Sequence, residues 1–219
     1  SNGIGWYRVD AQQKSGGLDH GDAQCGRRSV SVFVKICGLR KADDVHAAID
    51  AGADAVGFVF AKSVRQITAA QAAAISAGVP AHIKRVAVML HPANEEWQAV
   101  FQTFSPHALQ TDAEDFALLD VPDSVEQWPV YREGGPKPDT SGTYIYEGHK
   151  SGQGVRVDWS LAAKIARDGK MILAGGLAVQ NIAEAITTVQ PFGVDVSSAV
   201  ESAPGQKDEQ LIKQFLSAV

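Results

Sequence analysis

Short runs of apolar and β-branched residues alternate along this chain with longer stretches in which Ala and Leu recur at helical spacing. The alternation starts near residue 32 and continues to the C-terminus. It predicts strands at 33–37, 55–60, 84–90, 107–110, 127–131, 143–147, 170–174 and 192–196. It predicts helices near 42–51, 69–77, 94–103, 113–119, 159–167, 178–189 and 207–218. Thr68 and Asp158 stand where N-caps would open two of these helices. Between the fifth and sixth strands, residues 132–142 are rich in Gly and Pro, which denies that link an ordinary helix. Strand and helix units repeated in series predict an α/β fold, a closed (β/α)8 barrel with a degenerate helix after strand five, in preference to a doubly wound open sheet.

Residues 1–31 mix Gly, Ser, Gln, Asp and Arg without apolar periodicity and open with Ser-Asn-Gly. They read as an N-terminal extension, part of it an expression remnant, with Trp6 and Tyr7 either on a mobile tail or packed outside the barrel. The remaining residues, 32–219, read as one barrel domain. A chain of 219 residues with 45% apolar content suffices for that core.

Composition then narrows the partners. A formal charge of −5, a pI near 5.6 and no basic cluster argue against nucleic acid. Cys25 and Cys37 make neither a disulfide framework nor a metal-ligand spacing, which suits a reducing compartment. No apolar run approaches the roughly 18–20 residues of a bilayer span, and no signal-peptide core opens the chain. A cytoplasmic protein without a membrane partner is expected. His82, His91 and His149 lack metal-ligand spacing, so no metal is expected either. Trp97, Trp128 and Trp159 read as packing groups.

In such a barrel the C-terminal ends of the strands carry function. Cys37, Arg65, Gln110, Glu147, Gly175-Gly176 and Ser197-Ser198 all fall at or just past predicted strand ends. Loops after strands seven and eight commonly hold phosphate through backbone N–H groups, and Gly175-Gly176 facing Ser197-Ser198 fits that use. Taken alone, the two glycines are equally a tight strand-to-helix turn. A phosphorylated small-molecule substrate is expected. Strand parity adds an inference: if Cys37 faces inward, so does Lys35, and its buried ammonium needs a carboxylate. Asp195, on the strand that closes against the first, is the candidate. That pair would also add positive potential near Cys37.

Five blocks then converge on one family. Lys35-Ile36-Cys37-Gly38, the run Ala51 to Phe60, Lys62-Ser63-Val64-Arg65, Ala174-Gly175-Gly176-Leu177 and the run Pro191 to Glu201 together resemble phosphoribosylanthranilate isomerase, from about residue 32 onward. The resemblance implies an Amadori rearrangement in tryptophan biosynthesis, without metal or organic cofactor, by a monomer or homodimer. It implies that Cys37 is the general base, although by residue type alone Cys37 is an ordinary core cysteine. It places the general acid at Glu147, where the family usually shows an aspartate, before Ser151-Gly152-Gln153-Gly154 and Asp158-Trp159. A solvent-exposed loop glutamate is the bland alternative. Arg65 would pair with the anthranilate carboxylate, and Asp195 would belong to the active-site layer.

A second departure from the family lies after strand four, where Gln110-Thr111-Asp112-Ala113 replaces Gln-Leu-His-Gly. Only Gln110 keeps a lining role by resemblance. Two other readings stand beside the isomerase. One is a degenerate barrel that binds a sugar phosphate without turnover. The other is a two-substrate sugar-phosphate isomerase, which resembles a two-aspartate barrel and would want an aspartate at position 37.

Overall fold

The computed structural model describes residues 32–149 and 156–219. The extension 1–31, with Trp6, Tyr7 and Cys25, and the Ser151 to Gly154 run lie outside the described residues. Eight parallel strands close into a barrel in chain order. They are β1 (Phe33–Cys37), β2 (Ala55–Val59), β3 (Lys84–Val88), β4 (Ala108–Asp112), β5 (Glu126–Arg132), β6 (Thr143–Glu147), β7 (Lys170–Leu173) and β8 (Gly193–Val196). Closure comes from β8 pairing with β1, in a register that sets Asp195 beside Lys35.

Among the described residues six α-helices cover the outside: α1 (Ala42–Asp50), α2 (Ala69–Ile75), α3 (Asn94–Phe104), α4 (Trp159–Ala166), α5 (Ile182–Val189) and α6 (Glu209–Ser217). Thr68 caps α2 through a reciprocal bond with Gln71, and the Asp158 carboxylate accepts from Ser160 and Leu161 at the start of α4. The link from β5 to β6 carries no helix, as its Gly and Pro content implies. Most strands shift at one or both ends by one or two residues from expectation, and three differences are larger. Residues 113–117 form a 3-10 turn instead of an α-helix. The fifth helix starts at Ile182, because Asn181 folds back to accept from the Ala178 N–H and donate to the Gly176 carbonyl. Lys207 belongs to a short hairpin, and α6 begins beyond it, capped by Asp208.

Two apolar layers separate the faces of every strand. Ala55, Val86, Ala108, Trp128, Ile145 and Ile172 fill the barrel interior, while Ile36, Val56, Phe58 and Tyr144 point out to the helices. Trp128 plugs the interior and meets the Phe33 ring edge-on at 5.9 Å. Truncating it to Ala would cost about 3–5 kcal/mol. Side chains alternate along a strand, so the residue two past an interior apolar position is also inward. That rule carries Ala108 to Gln110 and Asp112, Val130 to Arg132, Ile145 to Glu147 and Lys35 to Cys37.

Candidate active site

The inward strand ends and the loops beyond them surround one cavity of about 280 Å³. Cys37, Arg65, Gln110, Glu147, Gly175, Gly176, Asp195, Ser197 and Ser198 all line it. Their separation in sequence, 161 positions between Cys37 and Ser198, is bridged by barrel closure.

On the β1 side, the Lys35 ammonium is fully buried and lies 3.0 Å from Asp195. Burial alone would pull that ammonium's pKa down, but Asp195 and Cys37 more than offset it and the net shift is upward. Burial pushes the Cys37 thiol up; Lys35 and Lys207 pull against it without prevailing. Lys35 therefore supplies the positive potential expected beside Cys37, but too little to lower the thiol's pKa below its ordinary value. Gly38, next in the chain, has φ +79°, and a Cβ there would sit 2.6 Å from Arg65 Cδ. Only glycine lets the Arg65 side chain cross so close to the thiol's strand end. The Arg65 fork is already engaged: Nε and Nη2 donate to the Glu201 carboxylate at 2.7 and 2.9 Å. An incoming carboxylate would meet the rest of the guanidinium.

On the β8 side, the Ser197 hydroxyl donates to the Cys37 carbonyl at 3.1 Å, joining the strand-eight turn to the strand-one turn. Across the mouth, Gly175 and Gly176 hold φ of +88° and +66°, a backbone path closed to most side chains. The Asn181 amide donates to the Gly176 carbonyl at 2.9 Å and so fixes this turn.

The β4–β6 side carries a second arginine. Arg132 donates through Nη1 and Nη2 to Asp112 at 2.8 and 2.6 Å, and its Nε lies 3.3 Å from Glu147 Oε1. Asp112, standing where the family usually has histidine, thus holds Arg132 between itself and Glu147. His91 lies 3.0 Å from Asp115 and 3.4 Å from Asp112, and the Asp115 hydrogen bond raises its pKa. His91, Asp112 and Glu114 bring ligand atoms within 4.8 Å of one another, but Asp112 is already spent on Arg132. Gln110 lines the cavity, and its Oε1 is buried with no hydrogen-bond partner among the described residues.

Sequence reasoning passed over three residues of this site. Arg132 lies one residue beyond the predicted end of strand five, and parity from Trp128 would have found it. Glu201 closes a block quoted for the resemblance but had no role assigned. Lys207 was placed on a helix.

The fold and the cavity define a (β/α)8 barrel with a pocket at the C-terminal ends of its strands. The family model described as N-(5'-phosphoribosyl)anthranilate isomerase matches residues 34–218. A protein of that name from Listeria monocytogenes serotype 4b is 39% identical over 201 residues, covering 84% of this chain and 96% of its own. One from Oceanobacillus iheyensis is 35% identical over 199 residues, with 86% and 97% covered. Among solved structures, phosphoribosyl anthranilate isomerase from Thermotoga maritima superposes with a TM-score of 0.75 at 30% identity, covering 86% of this chain and 98% of its own. An isomerase in complex with reduced 1-(o-carboxyphenylamino)-1-deoxyribulose 5-phosphate gives 0.72 at 30% identity, covering 85% and 97%. The chain belongs to the phosphoribosylanthranilate isomerase family.

Proposed function

We propose that this chain isomerises N-(5'-phosphoribosyl)anthranilate to 1-(2-carboxyphenylamino)-1-deoxyribulose 5-phosphate in tryptophan biosynthesis, with Glu147 as general acid and Cys37 as general base. The observation that carries the assignment is the single cavity lined by all nine residues singled out from the sequence. The reaction needs a proton donor at the ribose ring oxygen, so that the C1–O bond breaks and an iminium forms between C1 and nitrogen. It then needs a base to take the C2 proton, leaving an enolamine that tautomerises to the ketone. Glu147 on β6 and Cys37 on β1 meet these needs from non-adjacent strands. Arg65 takes the anthranilate carboxylate, while the turns at Gly175-Gly176 and Ser197-Ser198 take the phosphate. Gln110 and Asp195 receive the sugar hydroxyls. The Cys37 proton must leave against burial, and the Lys35 and Lys207 charges supply what opposes burial.

Glutamate reaches one methylene further than aspartate, so the acid's head needs a fixed place. Arg132, itself clamped by Asp112, supplies one. The protein works in the cytoplasm as a monomer or homodimer, without metal or organic cofactor. Loss of substrate fluorescence is the direct assay. Wild type should turn over, and Cys37→Ser and Glu147→Gln should each lower kcat about 10²- to 10⁴-fold. Near-full turnover by Glu147→Gln would remove it as the acid, and an inert wild type would leave a sugar-phosphate binder.

A further inference from the structure

Strand eight does not lead straight into α6. After one 3-10 turn (Ser198–Val200), the chain folds β9 (Glu201–Ala203) against β10 (Gln206–Lys207) in an antiparallel hairpin. The Glu201 and Lys207 side chains are 3% and 1% exposed, a burial that charged groups tolerate only when fully partnered. Here they are. The Glu201 carboxylate accepts from Arg65 Nε and Nη2, from Lys207 Nζ at 2.8 Å and from the Gly205 N–H at 3.1 Å. The Lys207 ammonium also donates to the Ser197 carbonyl at 2.8 Å and reaches the Ser197 hydroxyl at 3.3 Å.

An ammonium has three protons and a carboxylate about four lone-pair sites, so both groups are used up and the cluster has one arrangement. The hairpin turn adds a backbone constraint, since a Cβ on Gly205 would lie 2.6 Å from the Val64 carbonyl in Arg65's own loop. Burial would push the Glu201 carboxyl up, yet the Arg65 and Lys207 hydrogen bonds hold it down to about 2. It is therefore an anion at any working pH.

Neither residue lines the cavity, but both branches of the cluster end on residues that do, Arg65 and Ser197. We infer that Glu201 and Lys207 are positioning residues that couple the two ends of the substrate site: Glu201 sets the Arg65 fork for the substrate carboxylate, and Lys207 sets the Ser197 turn for the phosphate. This rests on the roles given above to Arg65 and Ser197. One ion pair thus fixes the distance between carboxylate receptor and phosphate receptor, and with it the length of substrate that fits.

Two variants separate the branches, with inorganic phosphate and anthranilate as competitive probes. Glu201→Gln should raise KM about tenfold, the worth of one charge-assisted hydrogen bond, with a smaller fall in kcat. It should weaken inhibition by anthranilate, which Glu201 serves directly through Arg65, more than inhibition by phosphate, which it reaches only through Lys207. Lys207→Met should weaken both inhibitors. In an Arg65→Lys background, Glu201→Gln should add little. If Glu201→Gln fails to fold, Glu201→Asp keeps the charge on a shorter arm and should show the same KM-weighted pattern at smaller size. Unchanged KM in a folded Glu201 variant, or equal weakening of both probes by it, would overturn the inference. So would Lys207→Met with wild-type phosphate inhibition. Turnover by the wild type in the same experiment keeps this outcome distinct from failure of the isomerase reading.

Discussion

Each side of the barrel mouth holds an arginine paired with acid, Arg65 with Glu201 and Arg132 with Asp112 and Glu147, but the cations of the two sides sit at different depths. On the β1–β2–β8 side, Lys35 and Lys207 are 0% and 1% exposed and Glu201 is 3% exposed. On the β4–β5–β6 side, Arg132 is 26% exposed and neighbouring His91 58%, although the acids Asp112 and Glu147 are 4% and 12% exposed. A charge stripped of its partner in the interior keeps most of its desolvation cost, whereas water offsets that loss near the surface. The fully buried cations Lys35 and Lys207 therefore depend on their partners more than the part-exposed Arg132 does. Asp112 and Glu147, the two positions at which the sequence reads as departing from the pattern of the resembled family, both lie on the β4–β5–β6 side, and Arg132 bridges them.

The sharpest way to break this contrast is to remove one buried partner. Lys35→Met leaves Asp195 without its cation and should cost about 3–5 kcal/mol, read from urea unfolding midpoints. Asp195→Leu placed on top should recover much of that loss, because both charges are then gone. The Cys37 thiol should also titrate higher in Lys35→Met, since the nearest cation opposing burial is lost. Alkylation rate against pH reads this directly. A thiol titration unmoved by the substitution would detach Lys35 from Cys37 chemistry.

The same operation on the shallow side should act on turnover more than on folding. Arg132→Met should cost about 1–3 kcal/mol of stability, less than Lys35→Met, since Arg132 itself is part-exposed although its partners Asp112 and Glu147 are buried. It should lower kcat about tenfold or more by loosening the Glu147 head, because about 1 Å of misplacement can cost a hundredfold. Arg132→Lys, a point charge without the fork, should recover only part of kcat. A stability loss as large as that of Lys35→Met, with kcat intact, would erase the distinction between the two sides.

The unequal depth also explains what could be read from the chain. The Lys35 to Asp195 pair followed from local rules alone: period-two alternation puts Lys35 on the Cys37 face, and barrel closure sets β8 beside β1. Strand positions were legible for the same reason, because buried parallel strands show as apolar runs. The β9–β10 hairpin was not legible. Its strands have three and two residues, and Pro204-Gly205 between them resembles any loop until Glu201 and Lys207 are seen to meet. The 3-10 turn at Ala113–Ala117 escaped because Glu114 and Asp115 look like an acidic first helical turn, and only tertiary bonds from Asp115 to Thr111 and His91 distinguish it. Parity from Trp128 reaches Arg132, but the bond that ties it to Asp112 depends on two strands meeting in register, Asp112 beside Val130, which no local pattern states.

The smallest effect concerns acid. Glu201 has a folded-state pKa near 2, depressed from an ordinary 4.5. A depressed carboxyl contributes stability that is full above the unfolded value and disappears as pH falls through the folded one. In the folded protein Glu201 stays ionised down to about pH 2, so between about pH 4.5 and 2 it is protonation of the unfolded chain that removes the cluster's contribution to stability. Glu201→Gln lacks that proton-binding site. Its stability deficit against wild type should shrink on acidification, by about 1 kcal/mol after allowing for solvent screening. Urea midpoints at about pH 6 and about pH 3 measure the change. A deficit that stays constant would mean that Glu201 is not the ion holding the deep side together, and Asp195 beside Lys35 would then carry that role alone.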